Sequence, residues 1–157
     1  MEHLRFNAQL RGYVQQAEAL LAGWQSGDRQ AERIFRSKHP KFLDDKIPWL
    51  ERRMSDAEVR ATPIDRDDAL LAVARAYDFL DWASLVSWVE AVHVPGSPVA
   101  RFEAAVDAIV DGDATTLARL LRDDPGLVHA RSTRVNCFDP PVHRACCTAR
   151  CIAPGIH

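Results

Sequence analysis

Apolar residues recur along one face of a 3.6-residue helical period through most of the chain. Phe6, Leu10, Tyr13, Val14, Ala17, Leu20, Leu21 and Trp24 form one unbroken stripe, which predicts an amphipathic helix from Phe6 to Trp24 despite Gly12. Gly27-Asp28 breaks it and starts a second helix with Ala31, Ile34 and Phe35 inward, ending before Pro40. Pro48 can open a short helix through Trp49, Leu50 and Met54, since its missing N–H is not needed in a first turn. Ser55-Asp56-Ala57-Glu58 reads as a capping box, and Thr62-Pro63 ends that segment. Asp65 or Asp67 caps a helix whose inner face is Leu70, Val73, Ala74 and Tyr77. Asp81 caps another, with Trp82, Leu85, Val89 and Val92 inside. Trp24, Trp49, Trp82 and Trp88 all fall in these segments, the first three on the stripes, and are expected as core anchors.

The stretch from Phe102 to Ala130 organises the remainder. Phe102, Ala105, Val106 and Ile109 make one stripe, and Leu117, Leu120 and Leu121 make another. Gly112 between them accepts the left-handed backbone of a helix C-cap, and Asp113 can cap the helix that follows. Asp124-Pro125-Gly126 ends the second helix. Two short helices joined by so tight a turn lie antiparallel, and such a pair needs neighbours to cover its apolar sides. An internal echo accompanies this hairpin: Gly27-Asp28 precedes Pro40 by the interval at which Gly112-Asp113 precedes Pro125, an offset of 85 residues. Phe35 then aligns with Leu120 and Phe42 with Leu127. Two versions of one hairpin, the first serving as an N-terminal cap, would produce this; so would chance similarity among short helices.

The spacing resembles the ankyrin repeat, in which a small-residue helix, a glycine and a leucine-rich helix recur about every 33 residues. Ala108-Ile109-Val110-Asp111-Gly112 stands where that family has Ala-Ala-x-x-Gly. Its Thr-Pro-Leu-His-x-Ala signature is similar to Pro140-Pro141-Val142-His143-Arg144-Ala145, one repeat later. In that register Glu103 and Pro140 are equivalent, 37 residues apart, which requires a small loop insertion. The segment Leu127 to Arg131 looks like the extended lead into the family's hairpin loop. Upstream, Tyr77, Phe79, Trp82 and Leu85 resemble a helical region that precedes ankyrin repeats in some bacterial proteins. Asp78 replaces a glycine there, and Asp tolerates the left-handed conformation better than most residues.

The resemblance implies a fold and a class of function. The fold expected is all-α: antiparallel helical hairpins, with an N-terminal helical domain over residues 1–93 followed by an ankyrin-like region over 99–157. The boundary falls in Val94-Pro95-Gly96-Ser97-Pro98, where Ser97 can cap and Pro98 can open the next helix. The function implied is non-enzymatic protein binding to an unidentified partner. Family specificity sits on hairpin tips and exposed first-helix positions. By register these are Val110 and Asp111 in the first unit and Asn136, Asp139 and Thr148 in the second.

Composition narrows the alternatives. Apolar content of 47% and charged content of 27% are those of a soluble globular protein, and the formal net charge of −2 argues against wholesale nucleic-acid binding. No run of about 18 apolar residues exists, so no membrane partner is expected. The N-terminus lacks the apolar core and cleavage site of a secretory signal, so a cytoplasmic location is expected. Residues 29–53 carry eight Lys or Arg against four acidic residues, and 54–92 carry three against eight. Two solvated helix faces that attract one another explain this; a basic docking face or a nucleic-acid patch is the sharper reading.

Candidate chemistry is sparse. Cys137, Cys146, Cys147 and Cys151 with His143 offer enough ligands for zinc, but no C-x2-C arm is present, and no cofactor is expected. His143, by the resemblance, bonds loop backbone and does no catalysis. Asp107 and Asp111 lie one helical turn apart near Asp113 and could hold Mg²⁺, although no phosphate-gripping loop accompanies them. A metal-dependent or enzymatic helical protein built on either cluster is the rival reading. No nucleophile elbow, glycine-rich phosphate loop or HExxH is present. From Val135 the periodicity fades, with Ala149 where the family glycine would stand and no leucine-rich partner helix after it. Either the natural chain is truncated or frame-shifted there, or the tail is a short cap. Self-association through an exposed C-terminal repeat face is expected, because stacked units generally need at least about three members.

Overall fold

The computed structural model describes residues 4–134. They form seven α-helices in the order α1 Leu10–Ser26, α2 Arg29–Lys38, α3 Asp56–Ala61, α4 Arg66–Ala76, α5 Trp82–His93, α6 Pro98–Val110 and α7 Ala114–Asp123. Two 3₁₀ turns, Pro40–Phe42 and Pro125–His129, follow α2 and α7. The all-α class is that expected. Among the described residues the only β-pairing is an isolated antiparallel bridge between Leu43 and Glu51. No helix among them is long and apolar enough to cross a membrane.

Side-chain caps set most of the helix starts. Asp28, Ser55, Asp65, Asp81, Ser97 and Asp113 each accept the backbone N–H three residues on, satisfying a donor with no intrahelical partner. Ser55 with Glu58 and Asp65 with Asp68 complete reciprocal capping boxes. Asp78 adopts a left-handed φ of 65°, a conformation that Asp tolerates better than most residues. Gly23 serves close approach instead: a Cβ on it would stand 2.9 Å from that of Ala31, so α1 and α2 meet nearly backbone to backbone.

Three expectations about element bounds are corrected. α1 begins at Leu10 rather than Phe6, because Gln9 provides no side-chain cap and residues before it turn, with Ala8 N–H bonded to Arg5 C=O. The Pro48 helix does not form. Asp44 Oδ1 captures the N–H groups of Lys46 and Ile47, and Asp44 N–H bonds Leu50 C=O, so the segment closes as a loop. Leu127 to His129 belong to a 3₁₀ turn rather than an extended lead, since Asp124 accepts from Gly126 N–H and Pro125 sets the first φ.

The core lies where α1, α2 and α4 meet. Tyr13, Ala17 and Leu20 of α1 and Ala31 and Phe35 of α2 pack against Ala69, Ala72, Val73 and Ala74 of α4. Small residues on α4 bring both neighbours close. α5 then packs on α4, α6 on α5, and α7 on α6 and its own 3₁₀ turn. α5 is covered on two sides, so Trp88 is buried although it lies off the predicted stripe. Trp49 is the reverse: expected in the core, it stands 58% exposed on the loop.

A buried polar cluster ties α2 to α4. His39 is buried, and its Nδ1 accepts the Lys41 N–H at 3.2 Å, which leaves the proton of the neutral ring on Nε2. Nε2 lies 3.1 Å from Asp68 Oδ1, close enough for an ion pair but not aligned as a hydrogen bond. Asp68 also takes the Lys41 ammonium. Burial pushes the His39 pKa below its ordinary value of 6.5, outweighing the pull of Asp68. The folded state thus binds the proton less well than the unfolded chain. Stability from this site is present above about pH 6.5 and declines as pH falls through 6.5 towards the folded-state value. The melting temperature is expected to drop between about pH 7.5 and 5.5. His39→Asn, whose oxygen can accept the same N–H, should flatten that slope; an unchanged slope would remove His39 as its source.

Candidate interaction surface

The outer hairpin carries Val110 and Asp111, two of the five positions picked out by register. α6 ends as Gly112 adopts φ +71°. Gly112 N–H bonds Ile109 C=O at 3.2 Å, and Asp113 N–H bonds Ala108 C=O at 2.8 Å. Asp113 then caps α7 through Thr116 N–H at 2.9 Å. The Thr116 hydroxyl and N–H hold the Asp113 carboxyl below its ordinary pKa. The turn after α1 repeats this: Gly27 has φ +76°, its N–H bonds Trp24 C=O, Asp28 N–H bonds Gly23 C=O, and Asp28 caps through Ala31 N–H. Each second helix ends in a 3₁₀ turn opened by proline, with His39 or Asp124 accepting the N–H two residues on. The echo therefore extends to backbone geometry.

The two hairpins differ in what covers them. Phe35 is fully buried, whereas its counterpart Leu120 is only half-buried, and α7 has no buried residue at all. At the tip, Ile109 is 63% and Val110 76% exposed, and Asp111 is exposed with Arg5 3.9 Å from its carboxylate. Successive helical positions are about 100° apart, so three bare neighbours mean that the last turn of α6 protrudes beyond the helices beside it. Ile109, expected inward, is corrected for that reason. Val110 and Asp111 stand where expected, side by side at the tip. Asn136, Asp139 and Thr148 lie outside the described residues, as do His143 and the four cysteines.

The inner side of α6 holds a residue that the apolar stripe concealed. Glu103 is 3% exposed, and Arg134 grips its carboxylate with two contacts, Nη2 at 2.7 Å and Nε at 3.2 Å. The same guanidinium lies 4.6 Å from the Trp88 ring centroid. Tyr13 is close by, and its hydroxyl is pushed up to about 12 by burial, with Tyr77 and Glu103 adding and Arg134 opposing. The segment after α7 is thereby clamped onto α5 and α6. No spacing rule points to partners 31 residues apart; the one available signal is a charged residue between Phe102 and Ala104-Ala105.

The attraction expected between the two charged segments is local. The ion pairs that join the basic segment 29–53 to the acidic segment 54–92 are those of Lys41 and His39 with Asp68, while Arg36 and Arg52 pair inside their own segment. Asp107, Asp111 and Asp113 do not converge: among the described residues no three His, Cys, Asp or Glu side chains gather where a metal ion could sit. No known protein family, curated protein or solved structure matches the chain.

Proposed function

We propose that the chain is a non-enzymatic protein-binding module of ankyrin-like type whose docking edge is the α6–α7 hairpin. The observation that carries this reading is the bare α6 tip, with Ile109, Val110 and Asp111 exposed together beside a helix that has no buried residue. Rigid caps at both sides of Gly112 hold these side chains fixed, so little ordering entropy is lost when a partner docks. The half-covered Leu117, Leu120 and Leu121 supply apolar area of the kind that forms interface centres. A second copy of the chain is one such partner, through the same face.

The test is the double variant Ile109→Asp/Val110→Asp in the full chain. Both side chains are exposed, so the melting temperature is expected to stay within about 2 °C of the parent. Sedimentation velocity at rising concentration reads self-association, and affinity capture reads other partners. Loss of both signals in the double variant is the expected result. Association that survives the substitutions, or a parent chain that stays monomeric and retains no protein, would overturn the reading.

A further inference from the structure

We infer that a second surface, the loop Asp44 to Glu51 with the arginine groove beside it, docks onto an anionic lipid surface. This goes beyond the protein-binding reading and uses none of its residues. It also departs from the expectation of no membrane partner, which rested on the lack of a spanning helix; lying on a bilayer is a different physical case from crossing it.

Two observations carry it. The first is the loop itself. Ile47 is 39%, Trp49 58% and Leu50 50% exposed, three large apolar side chains within four positions. They are not on a loose segment. Asp44 Oδ1 accepts from Lys46 N–H at 2.8 Å and Ile47 N–H at 3.0 Å. Asp44 N–H donates to Leu50 C=O at 2.8 Å, and Arg52 N–H to Phe42 C=O at 2.7 Å, on either side of the Leu43–Glu51 bridge. A fixed turn that holds tryptophan and aliphatic side chains in water pays for a contact it does not make within the chain.

The second is the charge around it. Lys46 precedes the apolar tip and Arg52-Arg53 follow it. A groove of about 470 Å³ adjoins the loop through Glu51 and is lined by Arg29, Arg33, Arg36 and Arg60. Arg36 is neutralised by Glu32 at 3.5 Å and Glu51 at 3.3 Å. Arg29, Arg33 and Arg60 form no ion pair among the described residues, and Asp56 is the remaining acid on the groove wall. Asp45 is occupied by Arg52 at 2.8 Å. Across the loop and groove seven cations, Arg29, Arg33, Arg36, Lys46, Arg52, Arg53 and Arg60, outnumber five acids, Glu32, Asp44, Asp45, Glu51 and Asp56, and three guanidiniums without an ion pair are left to bind phosphate oxygens, for which their planar donor fork is suited. An apolar tip beside a groove with three unpaired guanidiniums matches the layering of a bilayer, anionic at the surface and apolar beneath, with tryptophan favoured at the boundary. The acidic segment 54–92 and a net charge of −2 would orient the chain, so that this end alone approaches an anionic surface.

The experiment is co-sedimentation of the full chain with large vesicles of phosphatidylcholine alone or with about 30% phosphatidylserine. Binding to the anionic vesicles only, lost on raising salt from about 0.1 to 0.5 M, is the expected result. Trp49→Ser and the triple variant Arg29→Ala/Arg33→Ala/Arg60→Ala should each weaken it by about tenfold or more. Their circular dichroism and melting temperature should match the parent, because the substituted side chains are exposed. Val110→Asp should leave it unchanged, which separates this surface from the hairpin edge. No binding to the anionic vesicles, equal binding to the neutral ones, or binding indifferent to both variants would overturn the proposal.

Discussion

Phe35→Ala is expected to cost about 4 kcal/mol of folding stability, and Leu120→Ala, at the equivalent point of the other hairpin, about 1 kcal/mol. Phe35 has no exposed surface, and its ring meets Trp24 edge-on at 5.2 Å between centroids. Its removal leaves a cavity among α1, α2 and α4 that rigid capped helices cannot collapse to fill. Leu120 is half-buried on a helix with no buried residue, so truncation removes less contact and water fills the space. Against a total stability of about 5–15 kcal/mol, the first loss is a large share. Urea denaturation followed by far-UV circular dichroism would measure both. Equal losses would mean that the two hairpins are equally supported, contrary to the packing described.

Arg134→Met is expected to destabilise the chain by about 3 kcal/mol. The cost comes from its partner. Glu103 would remain buried with its carboxylate deprived of a two-point guanidinium contact, and an uncompensated buried charge is expensive. The cation–π contact with Trp88 would be lost as well. The double variant Glu103→Leu/Arg134→Met should return to within about 1 kcal/mol of the parent, because removing both partners removes the desolvation penalty. A single variant within about 0.5 kcal/mol of the parent would show that the pair is solvated and contributes little.

The two hairpins show why so much of the local structure was legible. A glycine that can take positive φ, an aspartate whose oxygen reaches an N–H three residues on, and a proline that sets φ after the helix act over a few covalent bonds. Their outcome hardly depends on the surroundings, so Gly27-Asp28…Pro40 and Gly112-Asp113…Pro125 fold alike. The same holds for the caps at Ser55, Asp65, Asp81 and Ser97, and for Asp78 at its left-handed turn. Where the local code was ambiguous the reading failed. Pro48 suits a helix start and a turn equally well, and the Asp44 carboxylate, bonded to two N–H groups just before it, decided for the turn.

Burial was a different matter, because it depends on which elements meet. Periodicity could place Ile109 and Trp49 on apolar stripes, but α6 outruns its neighbours and the Trp49 segment is not a helix, so both reach water. Trp88 went the other way once α5 was covered on two sides. The exposure of Val110 and Asp111 could be read in advance because a tip position follows from the turn alone. The Glu103–Arg134 clamp and the loop–groove surface bring together residues far apart in the chain, and no spacing rule reaches across such separations. Hydrogen bonds a few residues long fix six of the seven described helix starts and the turns at Gly27 and Gly112, so those were readable from the chain alone; the start of α1 and the loop at Pro48 were not. Which of two hairpins with the same turn geometry became core and which became edge was settled by packing, because that depends on whether a third helix arrives to displace water.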